Sequence, residues 1–224
     1  MMRFLLIDTC GAEGSIALAE DGRVVASDTL PGRSASERLV PAIRQMLEAA
    51  GWGLGELAAI GVVHGPGSFT GVRVGLSAAK GLSEAGRIPL IAVSRLALLA
   101  AAAKVDGKVC AVLDAGRGEF YCGSYIGRRK INEALLTAEE VATAAADGAA
   151  VVVCEQHVVD TLGTVGVRLV SEPAAGGALP FVTEKVAANE FDNAATVDAN
   201  YLRRTDLEIF AKNAPLNAAK GAGR

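Results

Sequence analysis

At 224 residues, 51% hydrophobic and 21% charged, the chain is too apolar to stay disordered and long enough for one large domain or two small lobes. Its 22 Lys and Arg against 25 Asp and Glu leave a net charge of −3, whereas a protein that grips nucleic acid unaided normally carries a basic surplus, so any RNA role is expected to be indirect. No apolar run approaches the roughly 20 residues of a spanning helix, and the first one stops at Asp8, unlike a secretory signal; a soluble, cytoplasmic protein without membrane contact is expected.

Residues 4–7 form a short apolar run, residues 15–20 alternate, and residues 23–30 resume the pattern after Asp21-Gly22, a two-residue hairpin signal. The chain is therefore expected to open as an antiparallel meander. Ser34-Ala35-Ser36-Glu37 fits a capping box, after which Leu39, Ile43, Met46, Leu47 and Ala50 recur at helical spacing up to Gly51. Pro41 should kink that helix or lie near its first turn. Residues 57–64 read as a strand, 65–71 as a loop rich in Gly and Ser, and 72–84 as a helix ending at Gly86. Residues 89–93 read as a further strand, Ser94 can cap an Ala/Leu-rich helix running to Ala103, and 105–108 is a polar connector and the expected lobe boundary.

Beyond the connector the opening pattern returns. Residues 109–113 and 119–126 are strands about the turn 115–118, Thr137-Ala138-Glu139-Glu140 is a second capping box, and 149–154 and 167–170 are strands flanking a short helix at 156–162. Residues 174–177 read as a loose linker, 180–189 and 207–212 as helices, and 215–224 as a frayed tail. Two halves that each open with a meander suggest duplicated lobes across a cleft.

Two segments could carry chemistry. Asp8-Thr9-Cys10-Gly11 puts a carboxylate at a strand end before a small-residue turn, where it could hold a metal near an anion, or merely accept local N–H bonds in a hairpin. Residues 65–73 (GPGSFTGVR) lack the lysine and spacing of a Walker A loop. Their glycines could bring backbone against a phosphate at a helix N-terminus; alternatively Ser68 or Thr70 caps the helix and the glycines serve tight packing. Asp8, Thr9, Gly67 and Ser68 are accordingly the nucleotide-binding candidates. His64 and His157 lack metal-motif partners, the four cysteines (10, 110, 122, 154) form no CxxC, and Ser36, Ser68 and Ser94 lack a nucleophile elbow. No metal site and no catalytic residue is assigned. Arg117-Gly118-Glu119 and Arg128-Arg129-Lys130 read as solvated turns.

Residues 65–82 (GPGSFTGVRVGLSAAKGL) resemble the TsaB (YeaZ) family closely, supported by LIDT at 6–9, SERLVPAI at 36–43, DAGRGEFY at 114–121 and YLR at 201–203. The resemblance covers most of residues 4–126. It implies an α/β actin/sugar kinase/Hsp70-like fold, with one lobe at 1–104, a second at 105–204, and a C-terminal helix at 205–214 on the first. It implies a non-catalytic paralogue of TsaD that lacks TsaD's metal-binding histidine pair. Such a subunit binds the catalytic TsaD and supports association of the ATP-hydrolysing TsaE, in the bacterial complex that forms threonylcarbamoyladenosine at position 37 of tRNAs reading ANN codons. The helices near 36–50 and 72–84 would meet TsaD or, alone, a second copy. Leu39, Ile43, Met46, Val72, Leu76 and Ala79 are their candidate interface residues, with ATP or ADP and magnesium at a subunit interface. The chain departs from the family at Ala35-Ser36-Glu37, where relatives commonly have His-Ser-Glu, at Val197-Asp-Ala-Asn200, and across 172–198. The alternatives are an ATP-dependent phosphotransferase on the same fold and an M22-type glycoprotease.

Overall fold

The computed structural model describes residues 1–31, 34–146, 148–163 and 166–202. The helix expected at 205–214 and the tail lie outside these. The first sheet holds β1 (Arg3–Asp8), β2 (Gly14–Glu20), β3 (Arg23–Leu30), β4 (Ala59–Val63) and β5 (Leu90–Val93) in the order β3-β2-β1-β4-β5. The meander is antiparallel, whereas β4 and β5 add in parallel through the crossover helices α1 (Ala35–Ala50) and α2 (Phe69–Gly86). Asp21 and Gly22 both have positive φ, 48° and 82°, as a tight turn matched to strand twist requires.

The second sheet repeats the plan. It comprises β6 (Lys108–Gly116), β7 (Glu119–Ile126), β8 (Arg129–Thr137), β9 (Ala150–Val153) and β10 (Val167–Leu169), ordered β10-β9-β6-β7-β8, with α4 (Ala138–Ala145) and α5 (Gln156–Leu162) as crossovers. The duplicated topology expected from the repeated meander is present strand for strand.

The lobes are laced together by exchanged helices. Between β5 and β6, α3 (Arg95–Ala102) leaves the first sheet and packs on β6 and β7 of the second. After β10 the chain returns, and a 3₁₀ turn at Ala175–Ala178 and α6 (Leu179–Ala187) pack on β1, β2, β4 and β5 of the first. Apolar on all sides, α3 must be enclosed, and residues 95–100 are all buried. One hydrophobic core consequently runs from Phe4 and Ile60 through Leu96 and Leu99 to Ala111, Tyr125 and Val152. A smaller core of Cys110, Val112, Phe120, Cys122, Val141, Val151, Val153 and Val158 lies under α4 and α5.

Several local expectations change. Ser34 stands at the α1 N-cap, but its hydroxyl donates to the Pro31 carbonyl (3.2 Å) and caps nothing, so that box does not form. Of the two alternatives for Pro41, the place near the first turn is not taken: it is the seventh residue of α1, inside the helix. Ser94 occupies the α3 cap position without a side-chain cap bond. Residues 174–177 are no loose linker: Ala175 and Ala178 are fully buried, because only small residues fit this close to the sheet, and the Ala175 N–H donates to Ser15 Oγ at 2.8 Å. Arg129 and Lys130 begin β8, a strand that its mixed sequence had hidden, rather than a turn.

The Thr137 box does form, with Glu140 N–H donating to Thr137 Oγ1 (3.3 Å) and Thr137 N–H to Glu140 Oε2 (2.7 Å). Thr137→Ala should cost about 1 kcal/mol, seen as a melting temperature lower by about 3 °C; an unchanged melting temperature would mean that the box adds nothing.

Candidate functional site

The two sheets face each other across a cleft of about 600 Å3 lined by Cys10, Ser68, Thr70, Gly71, Arg95, Asp114, Glu155 and Glu172, among others. Its two walls are built alike. Asp8 ends β1 and accepts the Cys10 N–H at 2.9 Å, while Asp114, near the end of β6, accepts the Gly116 N–H at 2.9 Å. The carboxylates' surroundings differ. Asp8 is 3% exposed and does not line the cleft, and its pKa is raised because burial outweighs the attraction of Arg95. Asp114 is open to the cleft and also meets His157 Nε2 at 3.2 Å.

The loop at 65–71 is filled by the protein's own backbone. A Cβ on Gly67 would stand 2.4 Å from the Cys10 carbonyl oxygen, one on Gly71 2.0 Å from the Thr9 carbonyl oxygen, and one on Gly75 2.3 Å from Thr9 Oγ1. Glycine every fourth residue, from the loop into α2, is the condition for the turn after β1 to lie against that helix. The contact is bonded as well as close. Thr9 Oγ1 donates to the Gly71 carbonyl (2.6 Å), Ser68 N–H to the Cys10 carbonyl (2.9 Å), and Gly71 N–H to Ser68 Oγ (3.2 Å), the helix cap. Of the nucleotide candidates, Asp8 and Thr9 are buried with their polar atoms engaged internally, and Thr9, Gly67 and Ser68 border the cleft. The hairpin and tight-packing readings describe this geometry.

Sequence reasoning missed Arg95 and Glu172. Arg95, the first residue of α3, is 5% exposed; it ion-pairs with half-exposed Glu172 and directs Nη1 toward the Cys10 carbonyl at 3.5 Å. Its guanidinium pKa is raised: burial alone would lower it, but Asp8 and Glu172 more than compensate. The available signal was one charge opening an otherwise Ala/Leu helix.

A second cavity, about 630 Å3, is lined by His64, Tyr125, Arg128, Arg129, Phe181 and Lys185, among others. His64 Nδ1–H donates to the Asp198 carbonyl at 3.0 Å, and burial lowers the imidazole pKa. Arg128 pairs with Glu184 (2.7 Å) and Lys185 with Asp192 (3.4 Å). Glu133 accepts both the Tyr125 hydroxyl and Asn200 Nδ2, tying β8 to the returning chain. Among the described residues, no group of three or more His, Cys, Asp or Glu is arranged to hold a metal, and no helix is long and apolar enough to cross a membrane.

The interface candidates require correction. Leu39, Ile43, Val72, Leu76 and Ala79 are at most 5% exposed and belong to the main core; Met46 is half-buried against it. The apolar rows read from the sequence face inward. On the outer side of the two helices lie Val40 (51% exposed), Phe69 (61%), Thr70, Arg73, Ser77 and Gly81. The Arg73 guanidinium lies 3.3 Å from the Phe69 ring centroid and 5.1 Å from that of Tyr201.

Duplicated five-stranded lobes with exchanged helices around a cleft define an actin/sugar kinase/Hsp70-like fold. An activator of a 2-hydroxyisocaproyl-CoA dehydratase from Clostridium difficile shares that fold, with TM-score 0.50, 12% identity, and 86% of this chain and 99% of the other covered. The family described as "TsaD: tRNA N6-adenosine threonylcarbamoyltransferase" matches residues 28–208. YeaZ from Pseudomonas aeruginosa superposes with TM-score 0.78 at 31% identity over 90% of this chain and 100% of its own. The tRNA threonylcarbamoyladenosine biosynthesis protein TsaB of Escherichia coli (strain K12) is 39% identical over 127 residues. That match takes in 55% of each chain, so the alignment spans about half the length of the relative. The chain belongs to the TsaB/YeaZ family, within the wider group that includes TsaD.

Proposed function

We propose that the chain is a non-catalytic binding subunit of a tRNA threonylcarbamoyladenosine-forming complex and that it acts by docking a TsaD homologue. The observation that carries this reading is the filled phosphate loop: Gly67, Gly71 and Gly75 are spent on contact with Thr9 and Cys10, and Asp8 is buried. A phosphotransferase would need that carboxylate turned toward substrate. The name of the E. coli relative supports the pathway, and the helices α1 and α2 that the family resemblance assigns to partner contact supply the surface. Its small residues Thr70, Ser77 and Gly81 allow another helix to approach closely.

In the absence of TsaD the same face pairs two copies of this chain. A TsaE homologue joins through the resulting complex, and tRNA is met through it. ATP or ADP with magnesium is assigned to a composite site with a partner; a cleft of about 600 Å3 is of nucleotide size.

Gly81→Arg separates binding from folding. A Cβ there meets nothing within 4 Å, and losing a mid-helix glycine should stabilise the free chain by about 0.7 kcal/mol. The added side chain would nonetheless obstruct helix-on-helix docking. Light scattering after size exclusion should show loss of the complex with a TsaD homologue at an undiminished melting temperature. Wild-type affinity in the variant would exclude this face.

A further inference from the structure

The smaller core contains two thiols that neither the cleft nor the docking face uses. Cys110 on β6 and Cys122 on β7 are 0% and 4% exposed, and their sulfurs lie 2.7 Å apart. The register explains the meeting: Cys110 stands opposite Ser124 and Cys122 opposite Val112, which makes them diagonal neighbours on one sheet face. Two unbonded sulfurs do not ordinarily approach so closely, and only a modest closure separates them from a covalent bond. We propose that Cys110 and Cys122 form a redox-active dithiol that closes to an intramolecular disulfide on exposure to peroxide.

Three features support the assignment. The hydrogen bond between the two sulfurs lowers the Cys110 pKa and raises that of Cys122, whereas burial raises those of Cys10 and Cys154, the latter to about 11; of the four thiols, Cys110 is the one favoured as the thiolate. The cover consists of two short helices, α4 and α5, which bury Val141 and Val158 and lay half-buried Ala138, Ala145, Val159 and Leu162 on the cluster, so a water-sized oxidant reaches the sulfurs by local opening of these helices. The partner thiol is already in place to capture an oxidised sulfur.

The reaction balances with hydrogen peroxide alone. The Cys110 thiolate attacks one peroxide oxygen, the O–O bond breaks, and hydroxide leaves with the Cys110 proton as water, giving a sulfenic acid. The Cys122 sulfur then attacks the sulfenic sulfur. The S–S bond forms, the S–O bond breaks, and the released hydroxide takes the Cys122 proton as a second water. The dithiol loses two electrons and peroxide is reduced to two waters.

The test uses the folded full chain and is independent of the proposed function. After peroxide treatment, acid quench, denaturation and alkylation, intact mass should show two alkyl groups instead of four. Tryptic cleavage at Lys108, Arg117 and Arg128 separates the two cysteines onto adjacent peptides, so digestion should join 109–117 to 118–128 through a bond that dithiothreitol releases. Cys110→Ser and Cys122→Ala should each abolish the joined product. Full alkylation of both peptides, a sulfinic acid at Cys110 beside an alkylated Cys122, or a disulfide using Cys10 or Cys154 would overturn the proposal, and each can be read on the wild-type chain alone.

Discussion

Replacing Gly71 by alanine is expected to destabilise the protein by about 3 kcal/mol, a loss of roughly 6–12 °C in melting temperature for a chain of this size. The new methyl would sit 2.0 Å from the Thr9 carbonyl oxygen. That neighbour is backbone and cannot rotate away, so the turn after β1 must lift from α2. Lifting breaks the 2.6 Å bond from Thr9 Oγ1 to the Gly71 carbonyl and disturbs the Ser68 cap. Gly81→Ala is the control: it adds the same methyl to the same helix in open space and should stabilise by up to about 1 kcal/mol. Thermal melts followed by circular dichroism give both numbers. Equal effects at the two positions would show that the contact between turn and helix is not what the glycines provide.

Arg95→Leu carries the second large effect. The substitution leaves Asp8 buried without its nearby cation and Glu172 without its partner, a loss of about 3 kcal/mol, the low end for a broken buried pair because Glu172 is half exposed. The pH dependence has a fixed sign. Burial already raises the folded-state pKa of Asp8 above the unfolded value of 3.8, so protonation favours the native state, and removing Arg95 raises that pKa further. The variant's deficit should therefore be largest near neutral pH and shrink as pH falls through the carboxylate range. Urea titrations across that range test this; a deficit that grows on acidification would mean that Asp8 does not face Arg95 as described.

Much of the architecture was legible because the relevant signals are local. Asp21-Gly22 specified its turn by backbone conformation, Thr137 and Glu140 specified a helix start through two mutual bonds, and the second meander announced the second lobe. What sequence did not convey depends on what lies opposite. Ser34 has the composition of a cap, yet its hydroxyl finds Pro31 first. The small residues at 174–178 look like a linker until a sheet is placed beneath them. The apolar rows of α1 and α2 were visible, but whether they met their own sheet or another protein was not; Leu76 and Val72 at 5% and 2% exposure decide it. The candidate site was legible in the glycine pattern of 65–75 but not in its meaning, because the groups filling those gaps come from Thr9 and Cys10, more than fifty residues earlier.

The most direct test of the central claim is size exclusion with light scattering on an equimolar mixture of this chain and its TsaD homologue, run beside the Gly81→Arg variant with and without ATP and magnesium. The account predicts a heteromeric peak for the wild type, none for the variant, and no ATP consumption by the wild-type chain alone. Separate elution of the two wild-type proteins under every nucleotide condition, with ATP hydrolysed by this chain by itself, would contradict it and favour a phosphotransferase.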